Sequence, residues 1–271
     1  MLMKSIYAKA LLIFLFIIPV FTESYSKQKT NRYLNIGAGW GHMGLRDQGI
    51  SPLYYSGNHL FITAGYSKVK DKYVNHLGAD LLHGNITPTK YPDPDFSQMN
   101  SFRAGVSFSH MRSAGSFASN KVKIFLGGII DSRFTFYEHN QFINSAKNNF
   151  SFSTLSLGKS FIYPFPVNGK QHKIELLIHM PVIALIVRPN HSYISPQGFL
   201  DHSTGNFQSV LNSIEVASLN RFFGLGSELS FKYQFRNNNA LGIGYRWEYY
   251  GHENFNQLKT ATHGIVLQTF F

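Results

Sequence analysis

His191-Ser192 and His202-Ser203 are the residues in this sequence most obviously able to act together, as a base beside a hydroxyl nucleophile. On a strand such partners need i, i+2 spacing, because only alternate residues share a face. Adjacent residues point to opposite sides, although within a loop they can still meet. His252, followed by Glu253 and Asn254, offers a base with no serine beside it. Asp93, Asp95 and Asp131 with His139 could activate water, but their spacing specifies no arrangement. The absence of Cys excludes disulfides, thiol nucleophiles, thiolate metal sites and a lipid-modified Cys. The 12 His are dispersed without a ligand cluster, so neither a metal nor a cofactor is expected. No catalytic residue is assigned, and a non-enzymatic role is the preferred reading.

A larger polar set has a common feature. His76, Asp80, Arg103, Asp131, Arg133, Glu175, Glu228, Lys232, Arg246 and Glu248 all fall on the face of their segments predicted to point inward. In 33–42, Leu34, Ile36, Ala38 and Trp40 alternate with Asn35, Gly37, Gly39 and Gly41. Late in the chain Leu241, Ile243, Tyr245, Trp247 and Tyr249 oppose Gly242, Gly244, Arg246 and Glu248. Ten such segments are predicted: 32–45, 58–70, 72–86, 99–114, 121–138, 149–165, 171–188, 221–235, 240–253 and 263–271. Most match the roughly 9–11 residues of a tilted membrane strand and exceed the usual soluble strand.

The connections alternate in length. Long ones are read at 46–57, 87–98, 139–148, 189–220 and 254–262, and short ones at Asp71, Gly115-Ser116, Asn168-Gly169 and Asn237-Asn238. Composition agrees with this reading. Charged residues are only 14 % and aromatic residues 15 % of the 271, which excludes disorder and coiled coil. A mean hydropathy of −0.13 excludes a helical membrane bundle. The reading is all-β: a transmembrane antiparallel up-and-down β-barrel of about ten strands, apolar residues facing lipid and polar ones the lumen. If 189–220 hides two more strands, the count is twelve. The net charge of +11 comes from scattered residues without a basic run, so nucleic acid is not an expected partner.

Residues 1–24 read as a secretory signal peptide, leaving 25–271 as one barrel domain. Lys4 and Lys9 precede the apolar run Ala10–Ile18, Pro19 breaks it, and Thr22 and Ser24 are small residues before the cleavage site. Segment 171–188 is apolar on both faces and contains Pro181, which cannot donate to a ladder. A bulge there would satisfy the geometry. Its inner face would pack against loop 189–220; the other reading is a lateral opening beside Pro181. Within that loop Phe207, Val210, Leu211 and Ile214 recur at helical spacing.

The terminal run Gly264-Ile265-Val266-Leu267-Gln268-Thr269-Phe270-Phe271 resembles the signal by which Gram-negative outer-membrane β-barrels are recognised for insertion. The resemblance makes Phe271 an assembly signal read by the barrel-assembly machinery. It places the chain in the cell outer membrane, among outer-membrane lipids including lipopolysaccharide. Gly49-Ile50-Ser51-Pro52-Leu53-Tyr54-Tyr55-Ser56-Gly57 resembles a segment in small outer-membrane proteins of Bacteroidetes-type bacteria. The hairpin Tyr249-Tyr250-Gly251-His252-Glu253-Asn254 sits where some lipid A deacylases carry a His-x-Ser-Asn motif, and it lacks the serine.

In a ten-stranded barrel, side chains fill much of the interior. Buried charges persist when paired, so the inward residues predict a salt-bridged lumen, with Glu228 and Lys232 neighbouring Arg246 and Glu248 across one hairpin. The alternative is a narrow polar pathway, or a site for a small anionic solute, lined by Arg103, Arg133 and Arg246. The expected function is a structural, accessory or transport-associated barrel acting through its loops or lumen, with room for an envelope protein as partner. The alternative function is a lipid hydrolase of phospholipase or lipid A deacylase type.

Overall fold

Alternation with Gly, Thr and β-branched residues leaves the chain one economical solution in lipid, a closed antiparallel sheet with every backbone group paired. The computed structural model describes residues 31–48, 51, 53–90, 98–119, 121–139, 147–167, 170–188, 214–235, 239–253 and 257–271. The predicted leader, Asp93, Asp95 and both His-Ser pairs lie outside these residues. Every regular element among the described residues is a strand: β1 (Asn31–Asp47), β2 (Tyr55–Val69), β3 (Tyr73–Pro88), β4 (Met99–Phe117), β5 (Val122–His139), β6 (Lys147–Val167), β7 (Lys170–Val187), β8 (Ile214–Ser218), β9 (Phe222–Gln234), β10 (Ala240–His252) and β11 (Leu258–Phe270).

From β1 to β8 each strand pairs antiparallel with the next, as do β9 with β10 and β10 with β11, and β1 pairs with β11 from Asn35↔Phe270 to Asp47↔Leu258, which closes the ring. The first half of β7 pairs with β9, from Lys173↔Lys232 to His179↔Gly226. Its second half pairs with β8, from Ile183↔Ser218 to Val187↔Ile214. β8 and β9 are therefore one wall position, interrupted by a turn at 219–221, and the barrel has ten strand positions. The direct β7–β9 ladder excludes the twelve-stranded alternative. Residues 214–218, expected within a loop and with Ile214 on a helical stripe, instead extend the wall as strand.

The strands reach further than expected at the loop end. β1 runs to Asp47 and β11 begins at Leu258, so the last connection is 253–257 rather than 254–262. Gly115-Ser116 is not a turn. The β4–β5 register shifts between Ser113 and Gly115, where Gly115 has φ +127°, a conformation suited to glycine. The chain then reverses at 118–121, with Ala118 and Ser119 at φ 52° and 55°. On β7 the expected bulge is present. Pro181 pairs with Ser156 and Ile183 with Leu155, leaving Val182 between them. Before it, inward residues are odd-numbered (Lys173, Glu175); after it they are even (Ala184, Ile186, Arg188). This switch is why the segment reads apolar on both faces.

The outer wall carries large exposed apolar side chains, among them Trp40 at 62 %, Leu60 at 66 % and Leu157 at 62 % exposure. Leu34, Ile36, Ile243, Tyr245, Ile265 and Leu267 belong to the same surface. A water-soluble monomer rarely exposes so continuous an apolar belt, whereas a bilayer requires it. At the turn end aromatic rings join β6, β7 and β9: Tyr163–Phe165 at 5.7 Å, Phe165–Phe231 at 6.1 Å and His172–Tyr233 at 4.5 Å. Inside, Phe61 lies where Gly41 and Gly264 leave space at the closing seam; a Cβ on either would meet its ring at 2.5 or 2.9 Å.

Candidate functional site

The lumen is stacked in three layers. Nearest the loops is an apolar layer to which all ten wall positions contribute. Met43 and Leu45 come from β1, Tyr55 from β2, Ile86 from β3, Met99 from β4 and Tyr137 from β5. Phe150 and Phe152 on β6, Ala184 and Ile186 on β7, Ala217 and Phe222 on β8 and β9, Tyr250 on β10 and Leu258 on β11 complete it. Phe152 and Tyr250 meet edge to face at 4.7 Å, and Phe150 stacks on Tyr250 at 6.0 Å. The sequence reading of a uniformly polar lumen is corrected here. These residues share the inward face with the charges, but the ends of the strands converge on a core of their own. At its edge, Arg188 and Asp47 form a buried ion pair, and His252 Nε2 lies 3.2 Å from Glu215.

The second layer is an ion-pair chain. Glu248 accepts from Arg133 through both carboxylate oxygens, one contact at 2.7 Å, and lies 3.2 Å from Arg103. Arg133 also donates to Asp131 at 2.6 Å, and Arg103 lies 3.8 Å from Asp80. β3, β4, β5 and β10 each contribute because their inward residues meet across the lumen. Of the expected residues, Asp80, Arg103, Asp131, Arg133 and Glu248 thus form one cluster. Glu248 does not pair with Arg246, its neighbour in sequence.

The third layer surrounds a cavity of about 140 Å³ at the turn end. Arg246 donates to Glu228 at 2.8 Å, across the β9–β10 hairpin. Lys232 instead donates to Glu175 at 3.0 Å, across the β7–β9 ladder. His76 shares a hydrogen bond with Ser67 at 2.9 Å. Lys173, absent from the expected set, also lines this cavity, its ammonium 5.7 Å from the Tyr33 ring. The signal for it was present, since Lys173 has the same parity as Glu175 two residues on.

Arg103 and Arg133 are occupied by carboxylates and do not line the turn-end cavity with Arg246, so the three-arginine anion site is not formed. Asp131 is bound to Arg133 in mid-lumen, apart from the external rim. Among the described residues no three His, Asp or Glu side chains gather as a metal site. Phe271, half-exposed on the outer wall, exchanges backbone hydrogen bonds with Leu34 at 2.9 and 3.1 Å, while Phe270 turns inward beneath Lys232 at 4.9 Å.

No protein-family model matches the chain, and no curated protein matches it in sequence. Solved structures do. The outer-membrane protease OmpT from Escherichia coli aligns with a TM-score of 0.54 at 7 % identity, over 92 % of this chain and 99 % of that one. The translocator domain of the autotransporter NalP from Neisseria meningitidis aligns at 0.43 and 8 % identity, covering 99 % and 96 %. The transport unit of the autotransporter AIDA-I from Escherichia coli aligns at 0.41 and 9 %, covering 97 % and 96 %. The OmpT likeness is one of fold, that of an outer-membrane barrel.

Proposed function

We propose that this chain is an integral barrel of a Gram-negative outer membrane with a structural or accessory role, and that its lumen does not conduct solute. The observation that carries this reading is the apolar layer built by all ten wall positions, with the Glu248 ion-pair chain beneath it. An apolar constriction resists wetting, and paired buried charges resist separation. In this reading the loops face outward, and the turns and both strand ends face the periplasm. Lipopolysaccharide-containing lipid covers the wall, Phe271 is read by the assembly machinery, and the surfaces left for an envelope partner are the loops and the turn-end chamber.

Reconstitution into planar bilayers tests this directly. The expected result is no channel conductance above the lipid baseline and no sucrose uptake in liposomes; stable ion-conducting steps would overturn it.

The hydrolase alternative has one supporting contact, His252 against Glu215, a pairing that could orient a base. Among the described residues no hydroxyl hydrogen-bonds to His252. Acyl release from phospholipid or lipid A that His252→Ala abolishes would establish the hydrolase instead.

A further inference from the structure

The turn-end chamber carries three cations, Lys173, Lys232 and Arg246, against two carboxylates, Glu175 and Glu228. Two of the cations are matched one to one: Lys232 with Glu175 at 3.0 Å and Arg246 with Glu228 at 2.8 Å. Lys173 is left over. It is half-buried, forms no ion pair with a described residue, and lies over the ring of Tyr33, with Glu175 close enough to act on it through space but bonded to Lys232. An ammonium in a partly dry chamber whose carboxylate neighbour, Glu175, is already bonded to another lysine favours an anion that brings a charge of its own.

The rest of the wall limits what that anion can be. Val74, Met111, Ile162, Leu177 and Phe270 give the chamber an apolar side opposite its charges. Its volume, about 140 Å³, is close to the ~150 Å³ cavity that takes up a benzene-sized molecule in a protein interior. Residues beside the turns, Tyr33, Val69, Gln234 and Ala240, also line it, so the chamber extends to the turn end of the barrel. The other end is blocked by the Glu248 ion-pair chain.

We propose that this chamber is a binding site for a small amphiphilic monoanion, an aromatic or short aliphatic carboxylate, whose charge pairs with Lys173 and whose apolar part lies against Met111, Leu177 and Phe270. The inference rests on the reading of the lumen as closed at the loop end, which makes the chamber a dead-end pocket rather than part of a pathway. A doubly charged or bulky anion fits neither the single cation without a bonded carboxylate nor the volume.

Calorimetric titration of the folded barrel in neutral detergent tests it, with benzoate, inorganic phosphate and benzyl alcohol as probes and heat-modifiable gel migration as the check on folding. Benzoate should bind saturably at one molecule per chain, with phosphate and benzyl alcohol each weaker by about tenfold or more, since each lacks one half of the recognition. Lys173→Gln should weaken benzoate by about tenfold or more, Lys173→Arg should retain it, and Arg221→Gln, exposed at the loop end of the barrel, should leave it unchanged. The proposal is overturned if the folded wild type shows no saturable benzoate binding, if Lys173→Gln binds benzoate as the wild type does, or if phosphate binds more tightly. The bilayer measurement is separate: a conducting barrel that binds benzoate defeats the closed-lumen reading, and a silent barrel that does not bind defeats this one.

Discussion

Glu248 holds two guanidinium groups at once, and its removal should be felt more than that of any surface charge. Glu248→Ala removes the acceptor that Arg103 and Arg133 share and leaves each with one carboxylate, Asp80 at 3.8 Å and Asp131 at 2.6 Å. Because each guanidinium keeps a carboxylate, the cost should fall below the ~3–5 kcal/mol of leaving a buried charge unpaired, yet exceed the ~1 kcal/mol of a surface pair. The expected outcome is a marked fall in the urea midpoint of barrel unfolding in lipid. Lys123→Ala is the comparison: its contact with Asp71, at 3.8 Å, is solvent-exposed, and its loss should cost less than ~1 kcal/mol.

Along a single strand, the position of one irregularity decides which side chains reach the lumen. Val182 lies between Pro181↔Ser156 and Ile183↔Leu155 on β7. Deleting it would turn Ala184, Ile186 and Arg188 outward, removing Arg188 from Asp47 and placing a charge on the lipid side. That deletion should abolish the folded, heat-modifiable band, while Val182→Ala should retain it. On β11, Ile265 lies between Trp40 and Tyr245 on the outer wall. Ile265→Arg, at mid-strand, should cost ~2–4 kcal/mol in unfolding from lipid vesicles. Gly244→Ala faces the lumen with its nearest neighbour atom 3.7 Å from the new Cβ, and should cost far less.

For the whole molecule, closure depends on the last strand reaching the first. Phe271 exchanges two backbone hydrogen bonds with Leu34, and Phe270 wedges beneath Lys232 at the chamber's edge. Deleting both residues removes the last pair of the β1–β11 ladder and the Leu34 bonds, leaving the turn end of the seam with unpaired backbone groups. It also removes the proposed assembly signal. The truncated chain should therefore disappear from the membrane fraction as a heat-modifiable species; a folded band at normal abundance would show that the terminal pair is dispensable.

The alternation of residues such as Leu241, Ile243 and Tyr245 with Gly242, Gly244 and Arg246 was enough to determine the barrel, its lipid face and the inward direction of the charged residues. Period two reports which side of a wall a residue occupies, and it does so from local sequence alone. It does not report height along the barrel axis or the residue opposite across the lumen. Those depend on strand tilt and register, which accumulate around ten wall positions. Hence Glu228 and Lys232 were legible as neighbours of Arg246 and Glu248 on one hairpin, whereas the individual pairs, above all Glu248 with Arg133 and Lys232 with Glu175, were not. The same limit hid the apolar layer: Met43, Phe152, Ile186 and Leu258 are far apart in sequence and share the inward face with polar residues. Only closure of the tilted sheet brings them to one level, where they pack as a single layer, while Lys173 lines the chamber at the other end.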